Sequence, residues 1–387
     1  MFMKINRFIS LNLIFGLLGA TGTAFGGEAA PRSLEQLIAK AKAATNHTIT
    51  MALEDNTPEV IRAKEKGFED RFGFPVRLES ERGHHRDVPV KIIQLAKTGR
   101  GVVDLWEGGT PLILRTFRAG NTRQPPWNAI YEGWPLAKKA RADVPKIGGA
   151  PDGSFLGDHC MYNGTTSWSL VYNTRKVNPK ELKGIKLEDL TTDKWRNRVV
   201  WDVRALGIYT LPFAPGWNTD KMKIFAHNLG ANGTKLVSGG TTGVLQALVQ
   251  GEGDISVASM TTVVGQKKMG APLDIAFAEF VMGNVTVSCL IDPSRNDPDM
   301  ATLFWAWNTF DGNYIDAKIT GGAIFRLYEE EEQYLPLVKL ARQNGITSPD
   351  QVVGPKTEED AEISGKYRKM AIDALKAGIA SKKKIGG

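Results

Sequence analysis

The chain has 387 residues, too many for one ordinary hydrophobic core and enough for two lobes. Hydrophobic residues make up 42% and charged residues 24%, a balance that excludes both a disordered chain and a polytopic membrane protein. The net charge of +7 is scattered, and its one dense run, Lys382-Lys383-Lys384, reads as a solvated tail rather than a nucleic-acid patch, because no helix-turn-helix or RNA-binding signature accompanies it.

Lys4 and Arg7 make a positive start, followed by an apolar stretch from Phe8 to Ala20 and small residues from Ala20 to Gly27. The apolar stretch is shorter than the roughly 20 residues that span a bilayer. Ala24-Phe25-Gly26 satisfies the small-x-small rule, so residues 1–26 read as a secretory signal peptide. No cysteine near the cleavage point offers a lipid anchor. The expectation is a soluble protein exported to the periplasm. In that oxidising compartment Cys160 and Cys289 can pair, closing a loop worth about 4–5 kcal/mol in the chain-entropy model. Two buried free thiols are the alternative.

Ser33-Leu34-Glu35-Gln36 is a capping box that opens a short helix. His47 to Leu53 alternates as a strand does. Thr57 and Pro58 then start a helix whose apolar face carries Ile61, Phe68 and Phe72, and Gly73 ends it. Phe74–Glu79 returns as a strand, completing a β-α-β unit. Val90–Ala96 reads as a helix and Val102–Trp106 as a buried strand. The Pro-, Gly- and Trp-rich stretch from Ala119 to Phe155 reads as irregular. Strands follow at Ser167–Tyr172, Val199–Val203, Asp254–Ala258, Ile275–Phe280 and Val285–Ile291, with a helix at Val244–Gln250. Beyond Pro293 the pattern turns helical over Ala301–Phe310, Gln333–Gln343 and Glu358–Lys384.

Alternating strands and helices predict an α/β fold. A second β-α-β series begins near residue 168 and ends near 285. The closing helices need a sheet to pack on, and the first lobe is the nearest candidate. The expected division is therefore lobe 1 from residues 27–166 plus 286–387 and lobe 2 from 167–285, with the chain crossing between them twice.

Four segments, in order, resemble the bacterial extracellular solute-binding proteins of ABC importers. The first is Trp168 to Val177, with Leu170-Val171-Tyr172-Asn173-Thr174 at its centre. The second is Leu187-Glu188-Asp189-Leu190 with Thr192 to Val200 around Trp195. The third is Gly239 to Ile255, and the fourth is Asn296-Asp297-Pro298 leading to Phe304. The resemblance implies two α/β lobes joined by crossing hinge strands, the type II periplasmic binding fold, delivering a small solute to a membrane permease. The nearest branch binds ferric ion and carries paired tyrosines just after the strand that follows the third segment. Here that place reads Ser259-Met260-Thr261-Thr262, and neutral hydroxyls are poor ligands for a hard cation. No metal site is therefore expected.

Ligands of open α/β sheets bind beyond the carboxyl ends of strands, between lobes. That rule selects Asp55, Asn56, Thr57, Arg82, Trp106, Glu107, Gly109 and Thr110 in the first lobe. In the second it selects Arg204, Gly240, Thr241, Thr242, Ser259 and Thr261, with Trp168 and Asn284 on the crossing segments. Gly239–Thr242 and Gly108–Thr110 enter helices and have the composition of anion cradles, although the same residues serve plain turns and caps. Arg204 can equally pair with Asp202 or Glu188. Trp106 and Trp217 can wall a cleft or fill a core. Glu54, Asp55 and Glu107 suit an amine, so the expected solute is small, polar and organic, without a firm sign.

His84 and His85 point opposite ways along a strand and read as loop residues. His159 beside Cys160 lacks the geometry of a nucleophile pair. No nucleophile elbow, phosphate loop, zinc-protease helix or dinucleotide fingerprint is present. The expected protein is thus a monomeric binding protein with no catalytic residues, no cofactor, no metal and no nucleic-acid partner. Its partners are a small-molecule ligand and an ABC permease. An exported two-lobed hydrolase or transferase, and a binding protein that signals to a receptor, stand as alternatives.

Overall fold

A computed structural model describes residues 31, 33–52, 57–81, 87–143, 156–320, 336–347 and 351–386. The expected signal peptide, Asp55, Asn56, Arg82, His84 and His85 lie outside these residues. In chain order the elements are α1 (Leu34–Ala43), β1 (Thr48–Ala52), α2 (Pro58–Phe72), β2 (Arg77–Ser80), α3 (Val88–Ala96), β3 (Leu105–Gly109), α4 (Thr110–Arg118), β4 (Thr122–Arg123), α5 (Trp127–Gly133), α6 (Leu136–Asp143) and β5 (Cys160–Asn173). They continue with β6 (Val200–Asp202), α7 (Thr219–Ala231), β7 (Lys235–Val237), α8 (Gly240–Val249), β8 (Ile255–Ser259), α9 (Met260–Lys268), β9 (Leu273–Ala276) and β10 (Val281–Ile291). After these come α10 (Pro298–Trp307), a π turn at Asn308–Gly312, α11 (Asn313–Thr320), α12 (Pro336–Gln343), β11 (Val352–Val353) and α13 (Glu358–Ser381).

Local chemistry sets the helix ends. Ser33 accepts the Gln36 N–H at 3.2 Å and Thr57 accepts the Val60 N–H at 3.3 Å, each satisfying an amide that a helix start leaves open. Gly73 ends α2 in the left-handed region, with φ of 73°, where a side chain would be strained. Asp297 caps α10 through the Asp299 and Met300 amides, and Pro298 fills the first turn.

The first sheet runs β2-β1-β3-β10-β5-β8, with β4 and β11 on β10 and β9 on β5. Strands β1, β2 and β3 are parallel to one another, while β10 runs antiparallel to both β3 and β5. Strands β5 and β10 are the ones that cross. The Cys160 end of β5 pairs with β10, and its Asn173 end pairs with β8 and β9. The Ile291 end of β10 pairs with β3. Between Thr286 and Val287 the register skips Asn163, so the irregularity is an extra residue in β5. Cys160 and Cys289 face each other across this pair and are disulfide-bonded. The architecture is two α/β lobes joined by crossing strands.

Two large apolar clusters mark the lobes. One holds Phe68, Trp106, Phe304, Trp305 and Trp307. The other holds Trp195, Trp201, Tyr209, Phe225 and Leu375. A smaller cluster gathers α9, α11, α12 and β11. Among the described residues no helix is long and apolar enough to cross a membrane.

Three sequence expectations meet a different structure. Within the stretch expected to be irregular, residues 119–143 contain β4, α5 and α6. The closing helices do not all pack on the first lobe. Helix α10 does, but α13 lies along α7 of the second lobe, burying Ala371 and Leu375 there. The physical reason is close backbone approach: a Cβ at Gly230 would meet the Leu375 carbonyl, and one at Gly378 would meet the His227 carbonyl. The start of α13 reaches back to the first lobe, where Glu362 pairs with Arg118 of α4. The basic tail is also pinned. Lys384 Nζ lies 2.9 Å from Asp193, and the Ile385 N–H donates to Asn228 Oδ1 at 2.8 Å.

Candidate ligand-binding cleft

The second-lobe loops converge. The Asp202 carboxylate, fully buried at the end of β6, accepts the Arg204 Nε–H at 2.7 Å and the Arg204 backbone N–H at 3.0 Å. Its other oxygen accepts the Gly240 N–H at 3.0 Å, at the start of α8. The Arg204 guanidinium lies against Gly240, whose φ is 64° and which leaves no room there for a Cβ. Glu188, the other candidate partner of Arg204, is bound to Lys221. Next along, the Ser259 N–H donates to Thr241 Oγ1 at 3.3 Å, and the Ser259 and Thr261 hydroxyls are 2.9 Å apart. Arg204, Gly240, Thr241, Ser259 and Thr261 are thus brought together. Thr242 sits exposed on the first turn of α8.

The first-lobe side is built on β3 and β10. The Thr110 hydroxyl is buried and donates to the Val285 carbonyl at 3.2 Å. A Cβ at Gly109 would lie 3.7 Å from Asn284 Nδ2, ordinary van der Waals contact, so Asn284 sits directly beside β3. Glu107 Oε1 accepts from Ser288 Oγ at 3.2 Å and from Asn308 Nδ2 at 2.8 Å. These neutral donors orient the carboxylate without neutralising it.

Asn284 joins the two sides, and Trp168 packs on the second-lobe side of it. Asn284 Nδ2 donates to the Tyr209 hydroxyl at 3.1 Å, while its Oδ1 is buried with no hydrogen-bond partner. Trp168 pairs with Ser259 on one side and Met282 on the other, and its ring packs edge-on to Tyr209 with centroids 6.2 Å apart. Met282 can lie so close because Gly207 has no side chain: a Cβ there would sit 2.8 Å from the Met282 sulfur.

The remaining expected residues lie elsewhere. Trp106 is 1% exposed in the first-lobe core and packs there rather than walling a cleft. Trp217 packs against Phe225 and Phe280, with Lys221 over its ring at 4.6 Å. Thr57 serves as a helix cap. Cys160 is in the disulfide, and His159 Nδ1 contacts Thr122. Sequence reasoning missed Tyr209, and it missed Arg368, whose guanidinium lies 4.1 Å from the Tyr209 ring centroid. A tyrosine just beyond the Arg204 loop was a weak signal; nothing in helix α13 marked Arg368.

Among the described residues no group of three or more His, Cys, Asp or Glu is placed to hold a metal ion. The place just after β8 holds Ser259, Thr261 and Thr262.

The fold has close counterparts among solved structures. Iron-bound HitA from Pseudomonas aeruginosa superposes with a TM-score of 0.60 at 16% identity, over 84% of this chain and 99% of that one. Apo ferric ion-binding protein A from Pasteurella haemolytica gives 0.61 at 14% identity, over 86% and 98%. The periplasmic binding protein AfuA from Actinobacillus pleuropneumoniae, solved with fructose-6-phosphate bound, gives 0.58 at 17% identity, over 87% and 98%. No family model and no curated protein matches the sequence. At these identities the likeness defines the fold, which is that of the two-lobed type II periplasmic binding proteins.

Proposed function

We propose that the protein captures a small polar organic solute between its lobes and presents it to the permease of an ABC importer, without catalysing a reaction. The observation that carries this is the floor between the lobes: Asn284, on crossing strand β10, donates to Tyr209 of the second lobe and lies beside Gly109 of the first, and among the described residues its buried Oδ1 has no partner. Native structures rarely leave such a group unsatisfied, so a solute donor or a bound water is expected there. HitA and AfuA, which share the fold, are titled as iron-bound and fructose-6-phosphate-bound. Ser and Thr in place of the ferric branch's tyrosines favour an organic solute over bare iron here. Both cysteines are in the disulfide, which removes the thiol nucleophile from an enzyme reading.

The moving bodies are lobe 1 (residues 27–166 and 286–357) and lobe 2 (167–285 together with α13, which packs on α7). Solute touching both lobes favours the closed state by no more than its differential affinity for that state. The protein works as an exported periplasmic monomer. A thermal-shift screen of residues 27–387 against amino acids, polyamines, phosphonates, carboxylates, sugars and ferric citrate tests this. A true solute at a hundredfold excess over Kd stabilises by about 2.7 kcal/mol. Its addition should also contract the radius of gyration in X-ray scattering. A panel without a shift would count against the clamp, as would an unchanged radius at saturation.

A further inference from the structure

We infer that the solute carries an anionic group, and that Arg368 of the C-terminal helix α13 holds it at the cleft floor. This rests on the clamp reading and names the chemistry of the same site. Arg368 is partly buried, and its guanidinium makes no hydrogen bond and no ion pair among the described residues. Three other partly buried arginines are ion-paired, whereas Arg123 donates only to the Pro298 carbonyl at 2.9 Å. Arg204 is held by Asp202 at 2.7 Å, Arg198 by Asp254 at 2.7 Å and Arg141 by Asp158 at 2.6 Å. On α13 itself, Asp373 is taken by Lys369 and Glu362 by Arg118, so neither neutralises Arg368.

The Arg368 guanidinium lies over the buried Tyr209 ring, with Cζ 4.1 Å from the ring centroid. The Tyr209 hydroxyl accepts from Asn284 and keeps its own O–H to donate. A permanent charge with five unspent donors, one ring from the floor of the cleft, fits a planar or tetrahedral oxyanion. Carboxylate and phosphate both match the guanidinium fork. The start of α8 is a weaker place for that anion, because the Asp202 carboxylate already takes the Gly240 N–H and the Arg204 Nε–H. The unpartnered Asn284 Oδ1 adds a second requirement, a hydroxyl or amine donor on the same solute.

The test is calorimetric titration of residues 27–387 with matched probes that all carry a hydroxyl or amine donor: fructose 6-phosphate against fructose, malate against malamide, and putrescine as the cationic control. An anionic probe should bind at least about tenfold tighter than its neutral partner, and the arm that responds separates phosphate from carboxylate. Arg368→Gln should weaken that probe roughly tenfold or more, with Arg368→Lys recovering part of the loss. Tyr209→Phe, which keeps the ring and removes the hydroxyl, gives an independent readout should Arg368→Gln fail to fold. Preference for fructose, malamide or putrescine would overturn the assignment, and so would full affinity in a folded Arg368→Gln; both leave the clamp standing. Absence of binding by every probe and by the wider screen, with no contraction in scattering, would remove the clamp and this inference together.

Discussion

Replacing both Cys160 and Cys289 with alanine should cost stability but spare binding. The bridge spans a sequence separation of 129 residues. Closing a loop of that length lowers the entropy of the unfolded chain by an amount worth about 5 kcal/mol at 25 °C, and measured losses usually run at 2–4 kcal/mol. Both cysteines are buried, at 3% and 0% exposure, so the loss of their sulfur packing adds to the entropic term. Urea unfolding of the oxidised protein and the double variant reads the difference directly. The bridge lies toward the first-lobe end of the β5–β10 pair. Asn284 is about 17 Å further along β10 at strand rise, so the affinity of the folded variant for its solute should change less than about twofold. A stability loss below about 1 kcal/mol would refute the loop-closure argument. A collapse of affinity in a variant that remains folded would refute the placement of the cleft floor at Asn284.

Asp104→Ala should destabilise by about 3 kcal/mol or more. The fully buried carboxylate accepts from the Thr50 and Asn296 amides, Ser294 Oγ and Asn296 Nδ2, all at 2.7 Å, and its removal orphans these donors. A shift under 1 kcal/mol in denaturant titration would contradict this. Gly240→Ala places a side chain at φ 64° and against the Arg204 guanidinium. It should cost about 1–2 kcal/mol and weaken solute binding, and an unchanged melting temperature with unchanged affinity would exclude Arg204 and Gly240 from the site. Tyr172 is held above its ordinary value of 10.0, first by burial and then by Asp274. Below that value both folded and unfolded chains keep the proton, and above it the unfolded chain releases its proton first. Stability should therefore fall as pH rises past 10.0, and Tyr172→Phe should remove part of that slope. Identical slopes in the two proteins would reject this account.

Much of the sequence that resembles solute-binding proteins is scaffold, although its third segment also carries Gly240 and Thr241 of the candidate cleft. Asn173 bridges the Leu248 carbonyl and the Arg175 amide. Arg198 pairs with Asp254, and Asn296 ties α10 to Asp104 and Thr50. Such residues announce a fold because the fold depends on them, and they say little about the solute.

What the sequence by itself determined was local. Helix caps at Ser33 and Thr57, the β-α-β start and the order of strands follow from chemistry within a few residues, and they sufficed for an α/β architecture of two lobes. Where the contacts join distant parts of the chain, only the tertiary structure decided. It paired Cys160 with Cys289 across two crossing strands. It seated α13 on α7 through backbone approach at Gly230 and Gly378. It turned Trp106 into the core while bringing Tyr209 to Asn284 and Arg368 to Tyr209. A helix's apolar face and small residues say that it will pack, but not on which partner. The partner depends on which surfaces the rest of the fold leaves open, and that is why the floor of the cleft was only half legible beforehand.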